Sequence, residues 1–288
     1  MNEGPPDPPA PRWSIERRLD FIGVRLAWEG RINRLDLVAR FGVSPNQATA
    51  DLKRFAELHP NAMAYDTRAK TYRATAAPDQ PRAADAGSVL RELRLIAEGV
   101  LPAEESVLAW PPSAEIAEPP VRTASAEILW VVLAAIRERR ALSADYQSFS
   151  TPNPRHRLIE PHALVYDGFR WHVRARDAEE DRFKDFVLGR LSDATLGDGA
   201  KSTAADDVEW TTRVELEIRP HPKLATHQRN AIAVDYGMTD GRLLLHPRLA
   251  VAWYVKRRLG LVEGHDTRAP SDQHIVLAGE RALPASPL

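Results

Sequence analysis

Apolar and polar residues alternate with a helical period in the first part of the chain and with a strand period in the middle. Between residues 14 and 58, apolar positions recur every three or four residues, which predicts amphipathic helices. Within LDLVARFGVSPNQATADLKRFAEL, Gly42 predicts a turn that separates two of these helices. From residue 142 the period falls to two, and turn residues divide the pattern into four predicted strands at 142–148, 158–166, 169–176 and 183–191.

Two segments rich in Pro, Ala and small polar residues separate these parts, and a further part follows residue 207. The linkers lie at 77–87 and 102–124, and SVLRELRLIAEGV between them predicts a connector helix that starts near Ser88. SAEILWVVLAAIRERR predicts a largely buried helix directly before the strands. In the last part, VELEIRP and GRLLLHP predict strands, whereas PKLATHQRNAI and LAVAWYVKRRLGL predict helices in a β-α-β-type fold.

These patterns predict an α+β chain with several domains. The predicted boundaries are a disordered Pro-rich tail at 1–11, a helical domain with a hairpin at 12–76, a linker with the connector helix at 77–123, a β domain at 124–200, a small α/β domain at 207–264 and a second Pro-containing tail at 265–288. Each of the three folded parts is long enough to have its own core.

The composition excludes several classes of protein. The 288 residues are 43% hydrophobic and contain no cysteine, which excludes disulfides, thiolate zinc sites and cysteine nucleophiles. The longest apolar run, ILWVVLAAI, is far shorter than the ~20 residues of a membrane span, so we expect a cytoplasmic protein without membrane contact. The net charge of −1 conceals a basic end at 12–76, where 12 Lys and Arg face 7 Asp and Glu. A basic end on an acidic body indicates contact with nucleic acid.

The second helix around Gly42 has the composition of a DNA recognition helix. Ser44, Pro45 and Gln47 predict its start, because Ser at the N-cap, Pro at the first position and Gln at the third form a capping box. An apolar stripe marks its inner face. Residue types that read base edges and phosphates point away from that stripe, and the candidate DNA contacts are Ser44, Asn46, Gln47, Thr49, Lys53 and Arg54.

The residues after this helix favour a winged helix-turn-helix. NAMAYDTRAKTYRAT predicts a hairpin around residues 67–69, from which Arg68 and Lys70, and also Arg73, could hold the DNA backbone. The segment 12–76 as a whole resembles a winged helix-turn-helix domain. The alternative is a helical domain whose capping box is accidental and whose cations merely face solvent.

The stretch GFRWHVRAR at 168–176 predicts a strand with two different faces. Its apolar face, expected in the core, comprises Phe169, Trp171, Val173 and Ala175. Its cationic face comprises Arg170, His172, Arg174 and Arg176, and neighbouring cations favour an acidic partner. In one register of the following hairpin Arg174 faces Asp185, which makes this face a solvated ladder of ion pairs. A phosphate-bearing ligand is the other candidate.

The middle segments resemble a WYL domain, a small SH3-like or Sm-like β-barrel of bacterial transcription regulators. The Tyr-x-Ser of DYQS, the Pro-His of IEPHAL and the late Arg of VLGRL match the family pattern, whereas the Trp-Tyr-Leu site reads Trp171-His172-Val173. The order of modules over 12–264 is most similar to the WYL regulators that accompany anti-phage defence islands such as BREX and CBASS. The resemblance implies that the last domain supports dimerisation.

The resemblance also implies a basic and polar pocket for an anionic effector, either a nucleotide or a single-stranded nucleic acid. Transferred by motif position, the candidate effector contacts are Tyr146, Ser148, Arg157, His162, His172, Arg174 and Arg190. The residue types support this transfer, because Arg binds phosphate through a planar fork, Tyr stacks on a base and Ser donates a hydrogen bond. Arg170 and Arg176 are assigned to the ion-pair ladder.

Enzymatic and metal-binding interpretations have weaker support. His156, His162 and His172 follow no metal-ligand spacing, and nearby arginines oppose a cation, so we expect neither a metal nor another cofactor. A ribonuclease that uses His and Arg of the basic strand stays open as the enzymatic alternative. In the last domain, Trp253 suits either the core or a dimer interface, and the core is favoured.

Together the patterns and the resemblance predict a homodimeric, non-enzymatic transcription factor that binds double-stranded operator DNA. We expect a repressor of its own or a neighbouring defence operon, in which effector binding changes the spacing of two recognition helices. The alternative from another class is a nucleic-acid-binding accessory protein of a defence complex.

Overall fold

The structure is a computed structural model, and it describes residues 15–75, 86–117, 120 and 122–284. These residues form two compact units that divide after Ala117. The predicted tail at 1–11 and residues 77–85 of the first linker lie outside the described residues.

The first unit begins with three helices and a small antiparallel sheet. The helices are α1 (Ile15–Glu29), α2 (Arg34–Phe41) and α3 (Pro45–Leu58), and the strands are β1 (Arg31–Ile32), β2 (Met63–Asp66) and β3 (Thr71–Ala74). The strand order is β1-β3-β2, with β2 and β3 joined by the predicted hairpin. Ile22, Leu26, Ile32, Leu37 and Leu52 are at most 2% exposed and share one core. This is the winged helix-turn-helix that the sequence predicts.

Local signals set the turn between α2 and α3. Gly42 ends α2 with a φ of 62°, a left-handed conformation that favours glycine. Ser44 caps α3, because its Oγ accepts a hydrogen bond from the Gln47 N–H at 3.2 Å. The predicted capping box is only half formed, since the Gln47 side-chain amide donates to Asp51.

The connector helix α4 (Ala86–Ala97) belongs to the first unit. It contains Ser88 rather than starting there, and Val89 is its buried residue. A 3₁₀ turn at Ala103–Glu105 follows. Glu92 of α4 accepts hydrogen bonds from the Ser106 hydroxyl at 2.6 Å and the Val107 N–H at 2.8 Å, so the second linker is fastened to the connector helix.

The second unit starts with α5 (Ala126–Glu138) and a five-stranded antiparallel sheet. The strands are β4 (Arg140–Tyr146), β5 (Arg155–Tyr166), β6 (Trp171–Asp177), β7 (Arg182–Val187) and β8 (Leu191–Gly199), in the order β7-β6-β5-β4-β8. Val132 of α5 packs on Leu142 and Ile159 of the sheet, and all three are fully buried. The sequence predicts four of the strands but not β8, because LSDATLGDG has few apolar residues. The closed SH3-like or Sm-like barrel stays a prediction.

The C-terminal part of the second unit is a three-stranded antiparallel sheet with helices. In it β9 (Val214–Pro220) lies between β10 (Leu243–Leu245) and β11 (Ile275–Ala282), and the helices are α6 (Val208–Thr211), α7 (Thr226–Asp235) and α8 (Leu249–Arg258). The predicted tail at 265–288 is wrong, since β11 pairs with β9 and buries Ile275. The short apolar run of IVLAGERA is stabilised only by this distant partner strand. Within the described ranges, no helix combines the length and apolarity needed to cross a membrane.

Candidate DNA-contact surface and buried polar network

The helix α3 has one buried and one exposed face. Ala48, Leu52 and Phe55 are at most 2% exposed and pack into the core of the first unit, as predicted. All six predicted contacts are exposed, namely Ser44, Asn46, Gln47, Thr49, Lys53 and Arg54. Because their spacing of three and four residues keeps several of them on one side of the helix, they form a continuous polar strip.

The protein already uses some of these side chains for hydrogen bonds within α3. Gln47 donates to Asp51 at 2.9 Å, and the Thr49 hydroxyl donates to a main-chain carbonyl at 2.9 Å. Across the described part of the chain, the side chains of Asn46, Lys53 and Arg54 make no hydrogen bond or ion pair. These three donors are therefore free to meet a ligand.

A buried carboxylate on α3, Asp51, is absent from the sequence interpretation. It is 1% exposed and accepts hydrogen bonds from Arg18 of α1, at 2.7 Å from Nε and 3.2 Å from a terminal guanidinium nitrogen. Arg18 itself is 8% exposed. The pair fixes the orientation of α3 on α1, because rotation of the helix would leave a buried charge without its partner.

The wing turn between β2 and β3 is closed by Asp66. Its carboxylate accepts hydrogen bonds from the N–H groups of Arg68 and Ala69, each at 3.0 Å, and from Arg73 Nε at 2.8 Å. The hydrogen bonds from Ala69 and then Arg73 keep the pKa of Asp66 below its ordinary value. Asp66 thus shapes the turn, engages Arg73 and leaves the exposed side chains of Arg68 and Lys70 unpaired among the described residues.

Only half of the predicted apolar face of β6 lies in the core. Val173 and Ala175 are fully buried, whereas Phe169 is 54% and Trp171 is 47% exposed. Trp171 packs on Tyr166 with their ring centroids 5.0 Å apart. The prediction of a core position for Trp171 is wrong, because this residue opens β6 and lies outside the part of the sheet that packs against α5.

Two residues of the cationic face, His172 and Arg174, are buried, whereas Arg170 and Arg176 are partly exposed. Arg174 is 3% exposed and lies opposite Asp185 of β7, the register that the ion-pair interpretation predicts. Its guanidinium donates to Asp207 at 2.7 and 3.0 Å, to Glu209 at 2.7 Å and to Asp185 at 3.5 Å. Asp207 caps α6 and Glu209 lies within it, so one arginine joins the five-stranded sheet to the C-terminal part.

Asp207 is the centre of this network. It is 1% exposed and also hydrogen-bonds His162 Nε2 at 3.0 Å and the Trp210 N–H at 3.1 Å. Burial by itself would raise the pKa of Asp207, but the hydrogen bonds and charge of Arg174 outweigh burial and lower it. Burial lowers the pKa of His162, and the bond to Asp207 only partly opposes this effect. At pH 7 the network therefore pairs a carboxylate with a guanidinium and a neutral imidazole.

A second buried pair extends the network to α8. His172 is 2% exposed, and its Nε2 hydrogen-bonds Asp167 at 2.9 Å. The His172 ring lies 5.0 Å from the ring of Tyr254, whose hydroxyl donates to Asp185 at 2.8 Å. Burial, followed by the charge of Asp185, raises the pKa of Tyr254, so the phenol keeps its proton and acts as a donor.

Four of the seven candidate effector contacts are thus bound by carboxylates of this chain. Besides His162, His172 and Arg174, Arg157 pairs with Asp177 at 3.2 Å and with Glu179 at 2.9 Å. Arg170 and Arg176 also pair with carboxylates, as their assignment to an ion-pair ladder predicts. A ligand at any of these cations would compete with an internal anion.

The remaining candidates, Tyr146, Ser148 and Arg190, lie around the loop after β4. Tyr146 ends β4 and its hydroxyl accepts a hydrogen bond from a β7 N–H at 3.3 Å, whereas Ser148 lies beyond the strand, so the two do not share a strand face. The Gln147 N–H donates to the Arg190 carbonyl at 3.0 Å. The Arg190 guanidinium lies 5.7 Å from the ring centroid of Phe149, which is 92% exposed. Arg190 has no carboxylate partner among the described residues.

Both histidines of the network are enclosed and paired with carboxylates. Over the described residues, no group of three or more His, Asp or Glu side chains is arranged to hold a metal ion. His162 and His172 are enclosed and their Nε2 atoms are bound to carboxylates, which gives the ribonuclease alternative no accessible acid–base pair.

Comparisons with known proteins identify the family. The winged helix-turn-helix domain of the BrxR transcriptional regulator matches residues 14–80, the WYL domain matches 127–196, and the C-terminal dimerization domain of the BrxR transcriptional regulator matches 213–283. The DNA-binding transcriptional repressor CapW of Stenotrophomonas maltophilia is 38% identical over 92% of this chain and 90% of its own length. This chain belongs to the CapW family.

Other CapW repressors give the same result. Those of Escherichia coli (strain KTE188) and Pseudomonas aeruginosa are 35% and 36% identical, over 92% and 90% of this chain and 89% and 87% of their own lengths. Among solved structures, the proteasome accessory factor B/C of Arthrobacter aurescens covers 88% of this chain and 46% of its own chain, with a TM-score of 0.28 and 19% identity, too low to infer a shared fold.

Membership of the CapW family confirms the resemblance to WYL regulators and the order of the three modules. The match to the dimerization domain, residues 213–283, includes β11, which the structure also places in the C-terminal sheet. What sequence reasoning missed was the acidic side of the network, Asp207 and Glu209, which follow Arg174 by 33 and 35 residues. Their only signal is a short acidic stretch between two modules, which is indistinguishable from a solvated linker.

Proposed function

We propose that this protein is a cytoplasmic, homodimeric transcriptional repressor that binds operator DNA through α3 and the wing. The observation that carries the proposal is the exposed face of α3, where Asn46, Lys53 and Arg54 have no partner among the described residues. Amide and guanidinium donors suit base edges, and cations suit phosphates. Arg68 and Lys70 extend the cationic surface to the wing.

Ser44, Gln47 and Thr49 complete the proposed contact set. They lie on the first turns of α3, whose N-terminal N–H groups carry partial positive charge and attract a phosphate. The dimerization domain supports a two-fold arrangement, in which two recognition helices meet two half-sites. The curated relatives are repressors rather than enzymes, which supports a non-enzymatic function.

A mobility-shift titration on the DNA upstream of the gene tests the recognition helix. The double variant Lys53→Ala/Arg54→Ala should bind at least about 30-fold more weakly, because base and phosphate contacts contribute about 1–3 kcal/mol each. Its thermal unfolding should match the wild type, since both side chains are exposed. The matched control Arg182→Ala/Lys201→Ala removes two exposed cations from the second unit and should bind normally. Unchanged binding by the first variant would refute the assignment.

We also propose that the controlled promoter belongs to a phage-defence operon. The supporting feature is the module order, which resembles that of regulators of defence islands. A scrambled duplex of equal length and composition separates the repressor from a nucleic-acid-binding accessory protein. A repressor should prefer the upstream fragment by about 10³-fold or more, whereas an accessory protein should bind both duplexes equally.

We further propose that an anionic effector, a nucleotide or single-stranded nucleic acid, binds at Tyr146, Ser148 and Arg190. The support is that Arg190 has no carboxylate partner among the described residues and lies beside the exposed ring of Phe149. A guanidinium next to an aromatic face offers one group for a phosphate and one for a base. His162, His172, Arg157 and Arg174 would contribute only after release from their carboxylates.

Fluorescence anisotropy with a labelled single-stranded oligonucleotide tests the effector site. Arg190→Ala should weaken binding at least about tenfold, the effect of losing one charge-assisted contact. The control Arg182→Ala removes an exposed arginine of β7 and should bind like the wild type. Equal affinities of Arg190→Ala and wild type for the oligonucleotide would contradict this site. They would not affect the assignment of the DNA contacts, which the operator titration tests separately.

A further inference from the structure

The buried pair of Asp51 and Arg18 also holds a side chain on the exposed side of α3. Asp51 is 1% exposed, and Arg18 of α1 donates to its Oδ2 at 2.7 Å. The exposed Gln47 side chain, one turn earlier on α3, donates from Nε2 to the Oδ1 of Asp51 at 2.9 Å. Residues four positions apart lie side by side on a helix, so this hydrogen bond fits the regular geometry of α3.

The chemistry of Asp51 decides which end of the Gln47 amide faces it. A carboxylate paired with a guanidinium accepts hydrogen bonds and has none to donate. The Nε2 end of Gln47 must therefore face Asp51, because the reverse orientation would set two acceptor oxygens against each other. Within the described residues Oε1 accepts no hydrogen bond, so it stays available to a ligand. One of the two Nε2 hydrogens is also left over.

Neighbouring polar side chains of α3 are not oriented in this way. Asn46, Lys53 and Arg54 make no hydrogen bond or ion pair with the described residues. The ammonium and guanidinium groups only donate, whereas the amide of Asn46 is free to turn either end outwards. Gln47 differs from them because it offers an acceptor in a set orientation, with a donor beside it.

Gln47 occupies a position from which a recognition helix contacts base edges. It is the third residue of α3, which begins at Pro45. The N-terminal residues of a recognition helix enter the major groove, where the edges of the bases present their donors and acceptors. The set orientation of the Gln47 amide therefore has a consequence for which base it fits.

We propose that Gln47, oriented by Asp51, reads an adenine in each half-site of the operator. The inference rests on the proposed function, because it takes α3 as the recognition helix. In the major groove adenine presents the donor N6 next to the acceptor N7, which complement Oε1 and the remaining N–H of Gln47. In this arrangement Gln47 contacts the base, and Asp51 is a positioning residue that acts through Gln47.

The other three bases fit the oriented amide less well. Guanine presents two acceptors, N7 and O6, and Oε1 of Gln47 would oppose one of them. Thymine presents the acceptor O4, and cytosine presents a donor without an acceptor beside it. A freely turning amide would donate to guanine or thymine simply by reversing its two ends. The hydrogen bond to Asp51 prevents this reversal and so increases the preference for adenine.

Single-base substitutions in the upstream duplex test the contact. Each base pair is replaced in turn, and mobility-shift titrations compare wild type with Gln47→Ala. Replacing one adenine per half-site should weaken the wild type by about 5- to 150-fold, the range for one bidentate base contact. Gln47→Ala should bind all four bases there within about twofold of each other, a margin far below one such contact.

The matched control is Glu57→Gln, which changes an exposed side chain towards the other end of α3. This variant should keep the wild-type preference at every base pair. A Gln47→Ala protein that also keeps the wild-type preference at every base pair would overturn the proposal.

Modified bases test the two proposed hydrogen bonds one at a time. At the adenine so located, unsubstituted purine lacks the amino group and 7-deazaadenine lacks N7. Each should weaken the wild type at least about fivefold but Gln47→Ala by no more than about twofold, because the variant has no amide to lose a partner. Equal losses in both proteins would contradict a contact between Gln47 and this base.

Asp51→Asn separates the positioning role of Asp51 from its role in the fold. An Asn side chain both donates and accepts, so either end of the Gln47 amide can face it. The ratio of the affinities for adenine and guanine at this base pair should fall at least about fivefold, the effect of about 1 kcal/mol. Loss of stability alone would lower both affinities by the same factor. An unchanged ratio would refute the orientation of Gln47 by Asp51.

The operator titration of Lys53→Ala/Arg54→Ala separates this inference from the proposed function. If that double variant binds weakly while Gln47→Ala keeps every base preference, only the adenine contact is wrong. If the double variant binds like the wild type, α3 is not the recognition helix, and the adenine contact is refuted with it.

Discussion

Removal of Asp207 should destabilise the second unit more than any substitution of an exposed carboxylate. Asp207 is 1% exposed and forms four hydrogen bonds, two with Arg174 and one each with His162 and Trp210. Asp207→Ala leaves Arg174 buried, with only the more distant Asp185 and the partly exposed Glu209. Breaking a buried ion pair in this way costs about 3–5 kcal/mol, although replacing both partners costs far less.

Urea unfolding, followed by circular dichroism and intrinsic fluorescence, measures the loss. With a slope near ~2 kcal/mol per molar urea, the midpoint of the second unit should fall by about 1.5–2.5 M. The control Asp206→Ala removes the neighbouring, exposed carboxylate, whose bonds reach only Thr203, and should cost no more than about 1 kcal/mol. Unfolding free energies of the two variants that agree within about 0.5 kcal/mol would refute this role of Asp207.

A double variant separates the ion pair from the packing. Arg174→Met/Asp207→Leu removes both charges, so no buried charge is left unpaired and stability should recover substantially relative to Asp207→Ala. Arg174→Ala removes the other partner of the same buried pair. This variant should have a lower free energy of unfolding than the wild type, because Asp207 would be left in an enclosed site without its strongest partner. Any loss of effector response in Arg174→Ala should therefore be accompanied by a loss of stability.

Three further outcomes are expected. Stability of the second unit should fall as the pH drops below about 6.5, because folding lowers the pKa of His162 and the unfolded chain therefore takes up a proton there first. The slope of the unfolding free energy against pH is at most about 1.4 kcal/mol per pH unit for this one group. In unfolding titrations at pH 5–8, His162→Gln should reduce the slope. Asp51→Ala should lower the unfolding free energy of the first unit by about 3–5 kcal/mol, since it removes the buried carboxylate that Arg18 binds. An effect equal to that of exposed Glu57→Ala would contradict the role of the pair. Gly42→Ala should cost about 1–2 kcal/mol through its φ of 62° even though a Cβ there meets nothing within 4 Å, as calorimetry against wild type can check.

The first unit was predictable because its signals are local. Gly42 ends α2, Ser44 starts α3, and the stripe of Ala48, Leu52 and Phe55 shows which face is buried. Each signal acts between residues a few positions apart, so it does not depend on contacts with distant parts of the chain. Asp51 was missed for the opposite reason, since its partner Arg18 lies 33 positions earlier on another helix.

The second unit shows what the residue pattern leaves open. Alternation correctly separates the two faces of β6, and the register correctly sets Arg174 against Asp185. It does not reveal that His172 and Arg174 on the cationic face are buried or that Trp171 lies outside the core. Nor does it reveal that Trp253, expected in the core, is half exposed. Burial depends on which elements pack together, and alternation is the same for a face that meets solvent and one that meets α6.

For GFRWHVRAR, alternation alone predicts a strand with an apolar and a cationic face, and the adjacent cations predict an acidic partner. The identity of that partner, Asp207, Glu209 and Asp185, depends on how the chain folds. The reason is physical: a guanidinium in an enclosed site requires anions at hydrogen-bond distance, and the fold brings together carboxylates that lie far apart in sequence. The same distinction holds for the chain as a whole, in which periodicity sets the elements and long-range pairing sets their surroundings.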